Sequence, residues 1–412
     1  MIVVAMGIIS MQKFDVAIIG GGLIGLATAY RIQENHPNLK IVVLEKESKV
    51  GRHQSGSNSG VIHSGIYYKP GSLKAKNCRA GKSDLEKFCE EHHINFKILG
   101  KLIIACDESE LPTLNELYRR GQANGVQCSL VDQDFIKTSE PHVAGIKGIY
   151  VPEAGIVDYK QVSEKLRSII VSKGVSVHLG SQLLSSKRSK GEVTLITNKN
   201  EIIAKYVINC AGLYSDKVAT ILGFRPELKI IPFRGEYYDL KKDYHHLCKT
   251  LIYPVPNMNF PFLGVHFTRR IGGGVECGPN AVLAFAREGY KKSDIKILEF
   301  LENITYPGFI KLSIKYWSEG WNEIKRSFSK TLFTKALKRL IPEIEENYLI
   351  PGGSGVRAQA VRNDGSIIDD FVISQDGNVI NVLNAPSPGA TSCLNIGLYI
   401  NELLTERIND KK

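Results

Sequence analysis

The stretch Phe14–Glu45, FDVAIIGGGLIGLATAYRIQENHPNLKIVVLE, constrains the fold more than any other part of the chain. The apolar run Val16–Ile19 reads as a buried strand, and Gly20, Gly22 and Gly25 follow it at G-x-G-x-x-G spacing. Leu23, Leu26, Ala27 and Tyr30 begin a helix, Ile41–Leu44 is a second apolar strand, and Glu45 ends it. Strand, glycine turn, helix, strand and acid in this order form the dinucleotide-binding fingerprint in the context it requires. Gly20 permits the tight turn, Gly22 lets the backbone approach a pyrophosphate, and Gly25 lets helix and strand pack closely. The helix N-terminus presents N–H groups to the phosphates. Glu45 can accept hydrogen bonds from ribose hydroxyls, and its charge disfavours a 2′-phosphate.

The 412 residues, 43% hydrophobic and 23% charged, suffice for two domains with sizeable cores. Eight cysteines are scattered without a C-x-x-C pair, which points to a reducing, cytoplasmic setting and to no metal or redox dithiol. The leader Met1–Ser10, MIVVAMGIIS, is apolar but too short to span a bilayer and has no basic n-region, so Met11 reads as the true start. No other segment reaches transmembrane length. The formal net charge is +11, and Lys311–Leu340 concentrates it, with eight Lys/Arg against Glu319 and Glu323. Trp317, Trp321, Ile324, Phe328 and Leu332 recur there at helical spacing. Such a helix packs on its own domain or lies on an anionic membrane surface. No recognisable module supports nucleic-acid binding.

Helices are expected at Ser83–Glu91, Leu111–Asn124, Tyr159–Lys173 (capped by Asp158) and Leu394–Arg407. Strands are expected at Lys97–Ala105, Val175–Leu179, Val193–Thr197, Ile202–Ala204 and Tyr206–Cys210. From Ile230 the strands Ile230–Leu240, Leu251–Val255, Phe262–Thr268 and Ile271–Cys277 follow without crossover helices, which predicts an antiparallel sheet. Basic, helical sequence runs from about 293 to 346, and a further strand is expected at Val379–Leu383. The fold class is α/β plus α+β. A Rossmann-type nucleotide domain (11–95, 150–225 and 346–412) is interleaved with an antiparallel-sheet substrate domain (96–149 and 226–345). With one fingerprint only, the nucleotide is either NAD or a resident FAD.

The segments His53–Lys76 (HQSGSNSGVIHSGIYYKPGSLKAK), Ile231–Tyr238 (IPFRGEYY), Ile252–Arg270, Gly278–Tyr290 (GPNAVLAFAREGY), Gly355–Gln359 (GVRAQ) and Asn384–Gly397 (NAPSPGATSCLNIG) go further. In consistent order from about Phe14 to Leu404, they resemble the L-2-hydroxyglutarate oxidase/dehydrogenase family of the FAD-dependent, D-amino-acid-oxidase-like group. The resemblance implies FAD and oxidation of L-2-hydroxyglutarate to 2-oxoglutarate by hydride transfer from C2 to flavin N5. It also implies electrons passed on to oxygen or a membrane quinone, and frequent membrane association. Residues 293–345 match least, and Gly389 stands where the family has Ala. A glycine/sarcosine-type FAD amine oxidase is the alternative on the same fold.

Around the flavin, the Gly51–Gly60 loop offers Ser55, Asn58 and Ser59, and the turn after Cys210 offers Gly212. Gly389, Ala390 and Thr391 precede the last helix, whose N-terminus suits negative charge at flavin N1–C2=O. His53 is a candidate for covalent flavin attachment. Oxidising a 2-hydroxy acid needs a base near neutral pKa, hence a histidine. His63 is favoured, since glycerol-3-phosphate oxidases carry a similar segment, with His266 second. A dianion needs Arg forks or Lys with hydroxyl help. Arg357 resembles the substrate-carboxylate Arg of glycine-oxidase-type relatives. Tyr67, Tyr68, Lys69, Arg234, Arg287 and Tyr290 are candidates for the distal carboxylate, while Arg269 and Arg270 read as surface charges. No metal is expected.

Overall fold

The strand Met11–Ile19, whose second half is the apolar run Val16–Ile19, lies inside the first sheet of the computed structural model, which describes residues 11–189, 191–257 and 262–410. The leader Met1–Ser10 lies outside the described residues. Met11–Ile19 pairs in parallel with Ile41–Leu44 on one side and Glu201–Asn209 on the other. Ser176–His178 and Val379–Asn384 extend the parallel set outward. A parallel sheet of this kind is covered on both faces, and the alternation of the strands shows it. Val16, Ile18, Ile41 and Val43 meet the helices Leu23–Asn35, Tyr159–Ser172 and Cys393–Asn409. Ala17, Ile19, Val42 and Leu44 meet a layer holding Val193, Leu195, Val218 and Leu222.

Two expectations change here. Glu201–Asn209 is one strand rather than two, because Lys205 takes an exposed position of the pleat and does not break it. The helix expected at Ser83–Glu91 begins at Leu73. Ser72 Oγ accepts the Ala75 N–H at 3.2 Å, and the Asp370 carboxylate accepts the Leu73 and Lys74 N–H groups at 3.0 and 2.9 Å. That second cap comes from the far end of the chain, so no local signal carries it.

The second sheet has nine strands. It runs from Val282–Leu283 through Leu228–Leu240, Val275–Gly278, His266–Arg269, Leu251–Pro254, Lys101–Ala105 and Lys147–Val151 to Ser129–Asp132. The pairings are antiparallel, as expected, except that Leu251–Pro254 lies parallel to Lys101–Ala105. The long connection between those two strands is what permits a crossover. Leu349–Arg362, assigned by sequence to the nucleotide part, pairs with Leu228–Leu240 along its length and belongs to the second sheet. Its glycine-rich start hides the strand pattern.

A small sheet of Val61–Ile62, Gly155–Val157 and Phe96–Ile98 joins the two halves. Val61 and Ile156 are buried in the core of the second sheet, and Ile62 and Val157 in that of the first. The pleat thus fastens one short element to both cores and fixes the direction in which His63 leaves it.

A buried ion pair also spans the halves. Arg287, 1% exposed, donates to the two Asp216 carboxylate oxygens at 2.6 and 2.8 Å and to the Leu213 carbonyl at 2.6 Å. Asp216 also accepts the Ile230 N–H at 3.1 Å. Asp216→Ala leaves a guanidinium buried without its anion and is expected to cost about 3–5 kcal/mol of stability in urea unfolding. A loss of about 1 kcal/mol or less, the size of a surface pair, would show that the pair does not tie the halves together.

Candidate active site

One continuous cavity of about 1310 Å³ runs from Gly20, Gly22 and Glu45 to His63, His266 and Arg357. Drug-sized ligands fill roughly 300–1,000 Å³, so this space suits a long ligand with a second molecule at its end. At the fingerprint, Gly20 has φ +111°, and a Cβ there would lie 2.4 Å from the Cys210 carbonyl oxygen. A Cβ on Gly25 would lie 2.0 Å from the Gly20 oxygen. A Cβ on Gly22 would meet only Ser55 Oγ, at 3.1 Å, so its bare backbone borders the cavity. The Glu45 carboxylate, buried, accepts the Gly21 and Glu47 N–H groups, each at 2.8 Å, which holds it beside the glycine turn.

The loop residues named from the sequence line this end, but their side chains are partly occupied. Ser55 Oγ accepts the Leu23 N–H at 2.9 Å and so caps the first helix. The Asn58 amide donates to the Gln54 and Ser55 carbonyls at 3.0 and 2.9 Å and accepts the Gly60 N–H at 2.9 Å, bracing its own loop. Ser59 and Gly212 lie on the cavity wall. His53 also lines the cavity, with both ring nitrogens hydrogen-bonded. Its Nδ1 meets Tyr290 Oη at 2.9 Å, and its Nε2 meets Lys46 Nζ and Glu47 Oε1 at 3.1 Å. Glu47, His53 and Glu288 cluster closely enough to suggest a metal, but the Lys46 ammonium bonds both carboxylates and stands between them as their cation.

Gly389 and Ala390 line the cavity below the last helix. A Cβ on Gly389 would lie 2.7 Å from the Ala385 oxygen, which accounts for glycine at this turn. Thr391 is turned away from the wall. Fully buried, its Oγ1 accepts the His63 N–H at 3.1 Å and shares a 3.0 Å hydrogen bond with Tyr159 Oη. Its hydroxyl anchors the backbone of His63.

At the far end the structure brings His63, His266, Arg357, Tyr67 and Tyr68 together. His63 Nε2 lies 3.3 Å from Ser387 Oγ. Burial, then the charges of Lys101, His266 and Lys74, hold its pKa well below the usual histidine value. His266 stacks on Tyr253 with ring centroids 3.9 Å apart, and its Nδ1 donates to the Gly264 carbonyl at 2.9 Å. A carbonyl only accepts, so the proton sits on Nδ1 and Nε2 keeps its lone pair. Burial lowers this pKa to about 3, with Lys101 and Arg357 adding to the effect and the Gly264 bond opposing it. Both rings are therefore neutral at physiological pH. The Arg357 guanidinium lies over the Phe262 ring at 5.4 Å. Among the described residues its side chain makes no ion pair or hydrogen bond. Tyr67 Oη is buried and has no hydrogen-bond partner among the described residues.

Three expected substrate residues are elsewhere. Arg234 is 3% exposed and committed to Glu236 at 3.0 Å and to the Gly289 and Lys291 carbonyls. Arg287 belongs to Asp216, and Lys69 is exposed, away from the cavity. Tyr290 serves His53, and Arg270 bridges Asp239 and Glu276 rather than standing free. A sequence shows a charge but not the carboxylate that already holds it. The reading missed Tyr237 and Tyr253 on the wall and Lys101 just behind it. The one available signal was a lysine opening the otherwise apolar strand KLIIA.

A fingerprint, a cavity ending in neutral histidines and an uncommitted arginine define a nucleotide-dependent oxidoreductase. The family model for FAD dependent oxidoreductases, DAO, matches residues 15–403. An L-2-hydroxyglutarate dehydrogenase of Indibacter alkaliphilus is 52% identical over 398 residues, covering 96% of this chain and 100% of the relative. A mitochondrial L-2-hydroxyglutarate dehydrogenase of Nematostella vectensis is 45% identical, covering 96% and 91%. An L-alpha-glycerophosphate oxidase of Mycoplasma pneumoniae, solved with FAD bound, shares the fold with TM-score 0.79, 22% identity and coverage of 96% and 95%. The chain belongs to the DAO family of FAD-dependent oxidoreductases and, within it, to the L-2-hydroxyglutarate dehydrogenase family. Its cofactor is FAD, and the open backbone at Gly22 beside the cavity fits that group. Gly22→Val adds a side chain with no backbone in its way but with the cavity in front of it. The variant is expected to fold and to lose most of its flavin, read from absorbance per chain. Full flavin content would refute the placement.

Proposed function

We propose that this chain oxidises L-2-hydroxyglutarate to 2-oxoglutarate at the His63–Arg357 end of the cavity. The reading is carried by a neutral, half-buried histidine and an uncommitted arginine facing one space. Arg357 receives the C1 carboxylate, where a planar fork matches two oxygens. Tyr67 Oη, buried and unpaired, donates to the distal carboxylate. His63 takes the C2 hydroxyl proton, and the carbonyl forms as the C–H electron pair leaves. The bound FAD supplies the acceptor for that hydride, and oxygen or a membrane quinone takes the electrons afterwards. Ser59, Gly212, Gly389 and Ala390, on the cavity wall, would hold the flavin through backbone or hydroxyl groups.

The test is anaerobic flavin reduction by L- and D-2-hydroxyglutarate, and by glycine and sarcosine. The L-hydroxy acid alone is expected to bleach the flavin, and bleaching by the amines instead would select the amine-oxidase alternative. His63→Ala is expected to retain FAD and to slow reduction by about 10²–10⁴-fold. Arg357→Ala is expected to lose roughly 2–5 kcal/mol of transition-state stabilisation. A protonated ring cannot accept a proton, so the rate falls only as pH drops through the His63 pKa. That value lies well below 6.5, so the wild-type rate is expected to be flat above pH 6.5 and to decline only in acid. A wild-type rate and pH profile in His63→Ala would pass the role to His266.

We further propose that the helices Ile297–Ile304, Pro307–Lys315 and Trp317–Phe328 rest on an anionic membrane surface. Leu298, Ile314, Trp317 and Phe328 are 78%, 70%, 71% and 75% exposed, with Lys315 and Lys325 among them. No helix among the described residues is long and apolar enough to cross a membrane. Co-sedimentation with phosphatidylserine-containing vesicles is expected to exceed that with phosphatidylcholine alone and to fall in Trp317→Ala/Phe328→Ala. Equal recovery with both vesicle types would refute it.

A further inference from the structure

Lys101 is the most unusual charge in the molecule. It opens the strand Lys101–Ala105, pairs across to Val151 and Leu251, and is 1% exposed. Its Nζ lies 4.2 Å from the centre of the Tyr253 ring and 5.3 Å from that of Tyr67, two residues of the cavity wall. Other buried cations near the site have anions: Lys74 has Asp369 at 2.8 Å, and Arg287 has Asp216. No ion pair is found for Lys101 among the described residues. The groups around it do not supply a negative charge. Burial raises the pKa of Tyr67 and Tyr253, and pushes the Cys78 thiol up to about 12, so all three stay neutral. Burial also brings Lys101 itself down to about 8, which leaves it largely charged at neutral pH.

An ammonium buried without an anion costs stability, and such costs are found where function uses the charge. We infer that Lys101 is a positioning residue for the reaction: its ammonium, packed behind Tyr67 and Tyr253 with no anion to pair it, supplies the positive field that keeps the cavity histidines free to accept a proton and draws the dianion in. Lys101 faces the Tyr253 ring that stacks on His266 at 3.9 Å, which sets its ammonium beside the His63–His266 end of the cavity, and its charge lowers the pKa of both these rings. The other charged groups acting on them are Lys74 for His63, which Asp369 on the same wall pairs at 2.8 Å, and Arg357 for His266, which has no such anion. Lys101 and Arg357 thus leave an uncompensated positive charge at this end that a dicarboxylate would complete. This inference rests on the reading of the cavity as the 2-hydroxy-acid site.

Lys101→Met and Lys101→Gln test it in the FAD-loaded enzyme. Neither should lower the melting temperature, because each removes an unpaired buried charge. Histidine-ring NMR titration, assigned with His63→Ala and His266→Ala, is expected to show both midpoints moving up. The acidic limb of flavin reduction is expected to move to higher pH with them. Binding of glutarate, a dicarboxylate without the hydroxyl, is expected to weaken on the order of tenfold, the effect of one nearby charge. At high pH the limiting reduction rate is expected to remain close to wild type. Unshifted ring midpoints with unchanged glutarate affinity in both variants would overturn the inference and leave Lys101 structural. Shifted midpoints together with wild-type reduction in both histidine variants would overturn the proton-acceptor reading while the field of Lys101 stands.

Discussion

The whole arrangement depends on backbone touching backbone where side chains would keep elements apart. Gly25 lets the first helix sit against the Gly20 carbonyl, and Gly20 lets that turn sit against Cys210. The same device recurs outward. Gly397 brings the last helix onto Ala27 of the first, with a would-be Cβ 2.7 Å from the Ala27 carbonyl group. Gly81 brings the helix Leu73–Glu91 onto Ser392, where a Cβ would lie 2.6 Å from Cα. One contact thus places the next, and the series ends with Gly389 and Ala390 facing the same cavity as Gly22.

The catalytic end is positioned by a different constraint. The strand Val61–Ile62 is too short to be stable alone. Its two side chains go into two different cores, and the Thr391 hydroxyl holds the next N–H. His63 therefore leaves a point fixed from three directions. His266 is fixed by its stack on Tyr253 and its bond to Gly264. Two neutral imidazoles share a space bordered by cations, an arrangement that burial and like charge both enforce.

This site carries features that a purely structural core would avoid: an uncommitted Arg357, an unpaired Tyr67 hydroxyl and an ammonium at Lys101 without an anion. Elsewhere the chain satisfies its buried charges, as Arg287 and Arg234 show. The contrast separates residues that hold the protein together from residues kept ready for a ligand.

The sequence by itself determined the nucleotide half: the glycine spacing, the flanking strands and Glu45 are local patterns, and backbone sterics alone translate them into a strand–turn–helix. It also singled out His63, His266 and Arg357 by residue chemistry within long matching segments. Tertiary structure alone decided which charges remained available. Arg234, Arg287 and Arg357 look alike in sequence, and only the arrival of Glu236 and Asp216 commits the first two. It alone moved the Leu349–Arg362 strand into the second sheet and added the distant Asp370 carboxylate to the local Ser72 cap of the Leu73–Glu91 helix. It alone placed Lys101 behind two tyrosines. Spacing encodes what neighbours along the chain do to each other, whereas ionic pairing and desolvation depend on residues that meet only after folding.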